Sequence, residues 1–467
     1  MTQDAFLAHV DILIVGGGIN GAGIARDAAG RGLEVALVEQ GDLASATSSA
    51  SSKLVHGGLR YLEHGELRLV AEALREREVL LRAAPHIVRP MRFVLPEAPG
   101  QRPAWVIRAG LLAYDWLARR QTLAASKAVS LREPPYGSGL RSDYSRGWVY
   151  SDCWVDDSRL VLANARSAHD AGASIMPRTA FLGAQRRDGR WRVRLRADSG
   201  EIEMSARVIV NAAGPWAGRV LDLAGVPTRI RLRLVQGSHI VVPRLYDGDH
   251  AFILQNDDGR VVFVYAYEGH TLVGTTDVEI GGGPDSAGMR PDEAAYLCHA
   301  ANRYFEREVH PGDVLWSYCG VRTLVDDGAS AASRVTRDYV LDLDGAANEA
   351  PLLSVLGGKI TTHRALAERA MDKLAPWFPG MRPAWTANAP LPGGDAGDGG
   401  MDEYLSRLKA QYAGLPDELL RTLLRRHGTA TPDVIGDASR IEDFGEHFGA
   451  QLYAREVAHF RTREWAR

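Results

Sequence analysis

The sequence predicts an α/β protein: a parallel sheet covered by helices and assembled from separate stretches of chain, an antiparallel sheet beside it, and a C-terminal helical unit. Three observations predict this. The apolar run Asp11–Val15 meets a glycine cluster and then an alanine-rich stretch, the pattern of strand, turn and helix. A second apolar run, Val208–Asn211, ends in Ala212, Ala213 and Gly214 far along the chain, so the first sheet must be discontinuous. Between residues 232 and 275 lie four closely spaced β-branched runs, as antiparallel strands are.

The first unit reads as strand, glycine turn, helix, strand and acid. Gly16 allows the tight turn, Gly18 lets backbone approach a pyrophosphate, and Gly21 lets the helix pack on the sheet. Gly17 and Asn20 complete the turn, and the N–H groups opening the helix are expected to be unpaired and to face anionic phosphate. Ala22, Ala25, Ala28 and Ala29 suit close packing, and Glu39 ends the next strand where a ribose hydroxyl needs an acceptor. Together these residues specify a dinucleotide site.

The segment after Glu39 points to a flavin dinucleotide. Leu43 to Tyr61 is too polar for a strand, and its small residues and hydroxyls suit backbone lying along a long cofactor. Thr47, Ser48, Ser49, Ser52, Lys53, Leu54, His56, Gly57 and Gly58 are the candidate contacts there. Ala213 and Gly214 would let the chain pass close to the cofactor from the second run.

These stretches, with Tyr150–Asp157, Gly237–Pro243, Gly274–Glu279, Gly320–Arg322, Thr336–Tyr339 and Gly357–Thr362, occur in one order over nearly the whole chain. The set resembles the FAD-dependent, aerobic-type glycerol-3-phosphate dehydrogenases. That resemblance implies a split Rossmann-like FAD-binding domain over 1–77, 151–222 and 331–391. It further implies a substrate domain with an antiparallel sheet over 78–150 and 223–330, and a helical C-terminal cap domain over 392–467. The family usually continues past Arg467, so the last unit is expected to be incomplete. Thr323 stands where proline is common and His363 where tyrosine is common, while the charged residues remain.

The implied reaction oxidises sn-glycerol 3-phosphate to dihydroxyacetone phosphate by hydride transfer to FAD, with electrons passed to membrane quinone. A phosphate ester needs cationic donors, and Arg60, Arg322, Arg337 and Lys359 lie in four motifs that would have to converge. His56 is the candidate for the hydroxyl proton, because imidazole titrates near working pH; contact with the cofactor alone is its other reading. Tyr61 would help place substrate, and Arg322 could stabilise the developing alkoxide. The strand Pro351–Leu356 runs into Gly357, Gly358 and Lys359, and Thr361 and Thr362 are expected to cap the helix that follows. Its positive end and Lys359 would stabilise negative charge on reduced flavin. An oxygen-using oxidase, an amine-oxidising flavoprotein of the same fold and a noncatalytic flavin- or phosphate-binding module are the competing readings.

Composition narrows the rest. The 467 residues carry a formal net charge of −3 and 45% hydrophobic residues, an ordinary globular balance with no basic excess for nucleic acid. Cys153, Cys298 and Cys319 are too widely spaced for a disulfide framework or zinc site, so no metal is expected. The N-terminus lacks the pattern of an export signal, and no apolar run approaches about 18 residues. The cytoplasmic side is therefore the expected default, and the quinone that the resemblance implies adds a peripheral place on the inner face of the cytoplasmic membrane; a homodimer is left open. Arg102 to Arg120 reads as a helix whose charges Arg108, Asp115 and Arg119 form a narrow stripe. Packing inside the protein and lying in a membrane interface both fit it. After the linker Pro390–Gly400 the chain reads as helices broken near Gly414–Pro416, Gly428 and Pro432, with the last one running to the end.

Overall fold

A computed structural model describes residues 8–97, 103–118, 122–228, 230–326, 338–346 and 349–467. Strand Ala8–Val15 is central to the first sheet, parallel to Val35–Glu39 on one side and to Gly200–Asn211 on the other. Ser174–Pro177 and Leu352–Leu356 extend it in parallel, and Val340–Asp344 closes one edge antiparallel. The register pairs Val15 with both Val38 and Asn211, and Asn211 with Ser354. The carboxyl ends of four strands from distant parts of the chain therefore finish level. Ligands of open α/β sheets bind outside that edge.

The glycine-led helix Ile19–Gly30 lies on one face of this sheet with Asp157–Asp170 and His363–Leu374. Ala22, Ala25 and Ala28 have no exposed surface, as expected of a helix pressed against its neighbours. Ile12, Ile14, Leu366 and Ala370 share that core. The other face buries Leu13, Ile209 and Trp191.

The second sheet is largely antiparallel and includes the four expected strands, observed at Leu232–Val242, Ala251–Gln255, Val261–Tyr267 and His270–Gly274. Trp316–Val325 pairs with Leu232–Val242 over ten residue pairs, from Leu232 with Val325 to Val241 with Trp316. Leu54 and Val55 at the end of the Ser-rich segment pair with Trp154 and Cys153, so this segment leaves the first sheet and ends on the second. That crossing brings the two sheets to one cavity.

The C-terminal helices pack around Leu419, Leu420, Leu423 and Phe444. The expected helix to the chain end instead stops at Arg463. Trp465 takes a positive φ of 59° and turns its ring against His169, while its carbonyl accepts from Arg178. That contact draws the last residues away from the helix axis.

Candidate active site

A cavity of about 610 Å³ opens at the carboxyl ends of the parallel strands and continues under the antiparallel sheet. Gly16, Gly18 and Glu39 line one part of it with Thr47, Ser48, Ser52, Leu54, Ala213 and Gly214, and Asn20 sits where this part meets the Gly357–Gly358 turn. At the other end His56, Tyr61, Arg322, Gly358, Lys359 and Thr361 converge. Residues as far apart as Gly16 and Thr361 thus line one cavity.

The glycine turn is as tight as its composition requires. Gly16 has φ of 117°, and a Cβ there would sit 2.4 Å from the Ala212 carbonyl oxygen. A Cβ on Gly21 would lie 1.9 Å from the Gly16 oxygen, so the helix rests directly on the turn. The N–H groups are less open than the sequence suggests. Gly17 N–H donates to Glu39 Oε2 at 2.7 Å, and Ile19 N–H donates to Ser48 Oγ at 2.9 Å. Glu39 Oε1 accepts from Gly41 N–H at 2.8 Å, which fixes the carboxylate and leaves lone pairs for hydroxyl donors. Gly17 and Gly21 accordingly build the turn without lining the cavity.

These features fit a flavin dinucleotide. A cradle that a side chain at Gly16 would fill, a fixed carboxylate at a strand end and a buried Asn20 Oδ1 with no hydrogen-bond partner all belong to residues lining this cavity. Asn20 Nδ2 donates to the Gly357 carbonyl at 3.2 Å and so ties the glycine helix to the Gly357–Lys359 turn. Gly357 and Gly358 have φ of 81° and 97°, conformations that favour glycine.

The cationic end is built by side chains on different elements. Lys359 Nζ stands 3.7 Å from the centroid of the Tyr61 ring, a cation–π contact. Arg322 projects from strand Trp316–Val325, pairs through Nη1 with Asp277 and donates from Nη2 to Thr275 Oγ1 at 3.3 Å. A Cβ at Gly237 would fall 2.5 Å from Arg322 Nη2, so that glycine makes room for the guanidinium. His56 faces the Phe263 ring at 5.8 Å, and its backbone N–H donates to Thr361 Oγ1 at 3.3 Å.

Several expected contacts go elsewhere. Lys53 is buried and paired with Asp157 at 2.6 Å, and it also donates to the Ser49 carbonyl; it braces the Ser-rich segment without lining the cavity. Ser49 turns back to the Ala46 carbonyl. Gly57 packs on Leu74 and Tyr114, and Gly58 takes φ of 80° beneath the Tyr61 ring. Arg60 is half-buried on the turn Leu59–His64 and does not line the cavity, because its neighbour Tyr61 takes the inward position. Arg337 lies outside the described residues, as do Arg102, Arg119 and Arg120. Thr362 makes no capping bond: a short 3-10 turn, Ile360–Thr362, precedes the helix and sends the Thr361 hydroxyl to the His56 backbone.

Three residues escaped the sequence reading. Asp277 and Thr275 hold Arg322, and the signal available was a carboxylate inside the Gly274–Glu279 motif. His239 bonds Ser52 Oγ through Nε2 at 2.8 Å and stacks on Tyr318. Burial, with Arg322 and Lys53 nearby, holds its pKa well below the usual imidazole value, so its ring is neutral. His363, the departure from tyrosine, fits as a neutral buried ring between the Ile360 carbonyl and Asn164. Among the described residues one group could gather around a metal, His427, His459 and Glu464, but both Glu464 oxygens are already held by Arg159.

Comparison with known proteins agrees with this geometry. A family model described as FAD dependent oxidoreductase matches residues 11–364. A glycerol-3-phosphate dehydrogenase of Pseudomonas aeruginosa is 50% identical over 469 residues, covering 100% of this chain and 91% of that protein. A D-erythritol 1-phosphate dehydrogenase of Brucella abortus is 49% identical over 461 residues, covering 98% and 92%. The aerobic glycerol-3-phosphate dehydrogenase of Escherichia coli is 47% identical, covering 98% and 91%. Among solved structures, the glycerol-3-phosphate dehydrogenase of Bacillus halodurans complexed with FAD superposes with a TM-score of 0.76 at 27% identity, covering 98% of this chain and 84% of that one.

Proposed function

The chain belongs to the FAD-dependent oxidoreductase family, and from that premise we propose that it oxidises sn-glycerol 3-phosphate at C2 to dihydroxyacetone phosphate. The observation that carries the reading is that Arg322 and Lys359, 37 positions apart, both line the cavity that also holds the dinucleotide turn. FAD, when bound, supplies the hydride acceptor.

The chain's own residues do the rest. Gly16, Gly18, Asn20, Ser48 and Glu39 would hold the dinucleotide end of the cofactor, and Gly358 and Lys359 its flavin end. Arg322, held by Asp277 and Thr275, would donate its remaining N–H groups to phosphate oxygen, and Lys359 adds a point charge held over Tyr61. His56 takes the C2 hydroxyl proton as the C–H bond breaks, with its backbone fixed by Thr361. The Phe263 ring lies beside the imidazole, tilted by 58° with ring centroids 5.8 Å apart.

The electron acceptor in this reading is membrane quinone. Helix Ala104–Trp116 supports it: Ile107, Leu111 and Tyr114 pack inward, while Trp105, Leu112 and Trp116 are 73%, 48% and 86% exposed beside Arg108. A helix apolar on its outer face suits an interfacial position. No helix among the described residues is long and apolar enough to cross a membrane.

A second reading keeps the phosphate and lengthens the alcohol. The relative acting on D-erythritol 1-phosphate is as similar as those acting on glycerol 3-phosphate, so overall identity does not separate the two substrates. The test is anaerobic mixing of the flavin-loaded protein with each phosphate. Bleaching of the yellow flavin by glycerol 3-phosphate, followed by reoxidation with quinone but not with air, is expected. Persisting colour would reject the activity, and prompt reoxidation by air would make it an oxidase.

A further inference from the structure

The helix Ala104–Trp116 packs through Ile107, Leu111 and Tyr114 in the core that includes Leu59, Tyr61 and Leu62, and one of these side chains hydrogen-bonds the turn that carries His56. Tyr114, 3% exposed, accepts a hydrogen bond from the Gly57 backbone N–H at 2.8 Å, one residue after His56. The same phenol donates to Asp152, whose oxygens lie 2.7 and 2.9 Å away. Arg77 in turn pairs with Asp152 at 2.6 Å and donates to the Ser151 carbonyl. Burial, reinforced by the Asp152 carboxylate, keeps the Tyr114 hydroxyl protonated far above the usual phenol range. The bond to Gly57 is also sterically set. A Cβ at Gly57 would lie 2.6 Å from the Tyr114 oxygen and from Leu74 Cδ2, so the turn can lie this close to the phenol only as glycine.

The opposite face of this helix carries the exposed Trp105, Leu112 and Trp116 with Arg108. Tyr114 therefore stands on a helix whose other side is an aromatic surface carrying one arginine, Arg108. We propose that Tyr114 is a positioning residue for the His56–Gly58 turn, through which seating the outer face of its helix on an anionic lipid surface sets the place of His56. The proposal rests on the placement of His56 at the substrate hydroxyl given above. A lipid surface is the occupant that the chemistry fits, since tryptophan and arginine side by side suit the headgroup level. The chain of contact is short: the lipid-facing residues and the phenol share a helix of 13 residues, and the phenol bonds the turn directly.

The test is hydrogen–deuterium exchange on the flavin-loaded protein, alone and with vesicles containing phosphatidylglycerol, read in peptides covering 104–116 and 54–62. Vesicles are expected to slow exchange in both, by about threefold or more in 54–62. Tyr114→Phe keeps the ring and removes the acceptor. It should speed exchange in 54–62, abolish the vesicle effect there while retaining it in 104–116, and lower kcat about tenfold with KM within about twofold. Vesicle protection confined to 104–116, or no protection of either segment, overturns the proposal. So does a Tyr114→Phe protein with wild-type exchange and kcat. If that variant does not fold, the wild-type vesicle comparison decides. Exchange is read without substrate, so failure of glycerol 3-phosphate to bleach the flavin would reject the substrate reading while the exchange result still decides this one.

Discussion

Replacing Arg322 with alanine removes a guanidinium that is 24% exposed and set beside Asp277, itself 12% exposed. Hydrogen bonds to charged groups contribute about 1.5–3 kcal/mol each. Two such bonds to one phosphate, discounted for partial exposure and for water entering the space, leave about 2–4 kcal/mol. That corresponds to a fall of about 30- to 900-fold in kcat/KM. The assay is anaerobic flavin reduction at several concentrations of glycerol 3-phosphate. Loss carried by KM alone identifies a phosphate clamp, while loss in kcat places the guanidinium at the developing alkoxide. Arg322→Lys should recover part of the loss, because charge returns without the fork. Asp277→Asn, which loosens the guanidinium without removing it, should have a smaller effect of the same kind. A kcat/KM within about threefold of wild type in Arg322→Ala, with the flavin still bound, would refute the reasoning.

Three further outcomes follow from the same structure. Gly21→Ala places a methyl group 1.9 Å from the Gly16 oxygen, so the purified protein should be nearly colourless; the check is the ratio of flavin to protein absorbance. Lys53→Met leaves the fully buried Asp157 carboxylate without its 2.6 Å counter-ion and should destabilise the fold by about 3–5 kcal/mol in urea denaturation. Burial lowers the pKa of His86 to about 3 and of His363 to about 4, so both are neutral in the folded protein and take up a proton on unfolding below about pH 6.5. Their contribution is complete above that pH and is lost as pH falls. Each should remove about 1.5 kcal/mol between pH 6.5 and 5, and His363→Asn should flatten the stability profile by that amount.

The glycine turn and the four antiparallel strands were legible because their signals are local: close contacts demand small residues, and β-branched runs pair with their neighbours. The Ser-rich segment was legible only as lying along a cofactor, and its passage from the first sheet to the second came from the pairing of Leu54 and Val55 with Trp154 and Cys153. What escaped depends on partners that spacing does not encode. Lys53 looked like a cofactor contact until Asp157, 104 positions away, took its charge. Arg60 and Tyr61 are adjacent in sequence, yet the turn sends only the tyrosine inward. The helix Ala104–Trp116 is apolar on two faces, so its periodicity alone did not show which face is buried. Tertiary packing chose Ile107, Leu111 and Tyr114 and left the tryptophans outside.

Most direct for the account as a whole is a comparison of flavin reduction by glycerol 3-phosphate, D-erythritol 1-phosphate, glycerol and sarcosine under anaerobic conditions. The cationic end formed by Arg322 and Lys359 predicts rapid bleaching by one or both phosphates and little by the other two. Equal or faster reduction by glycerol or sarcosine would contradict it.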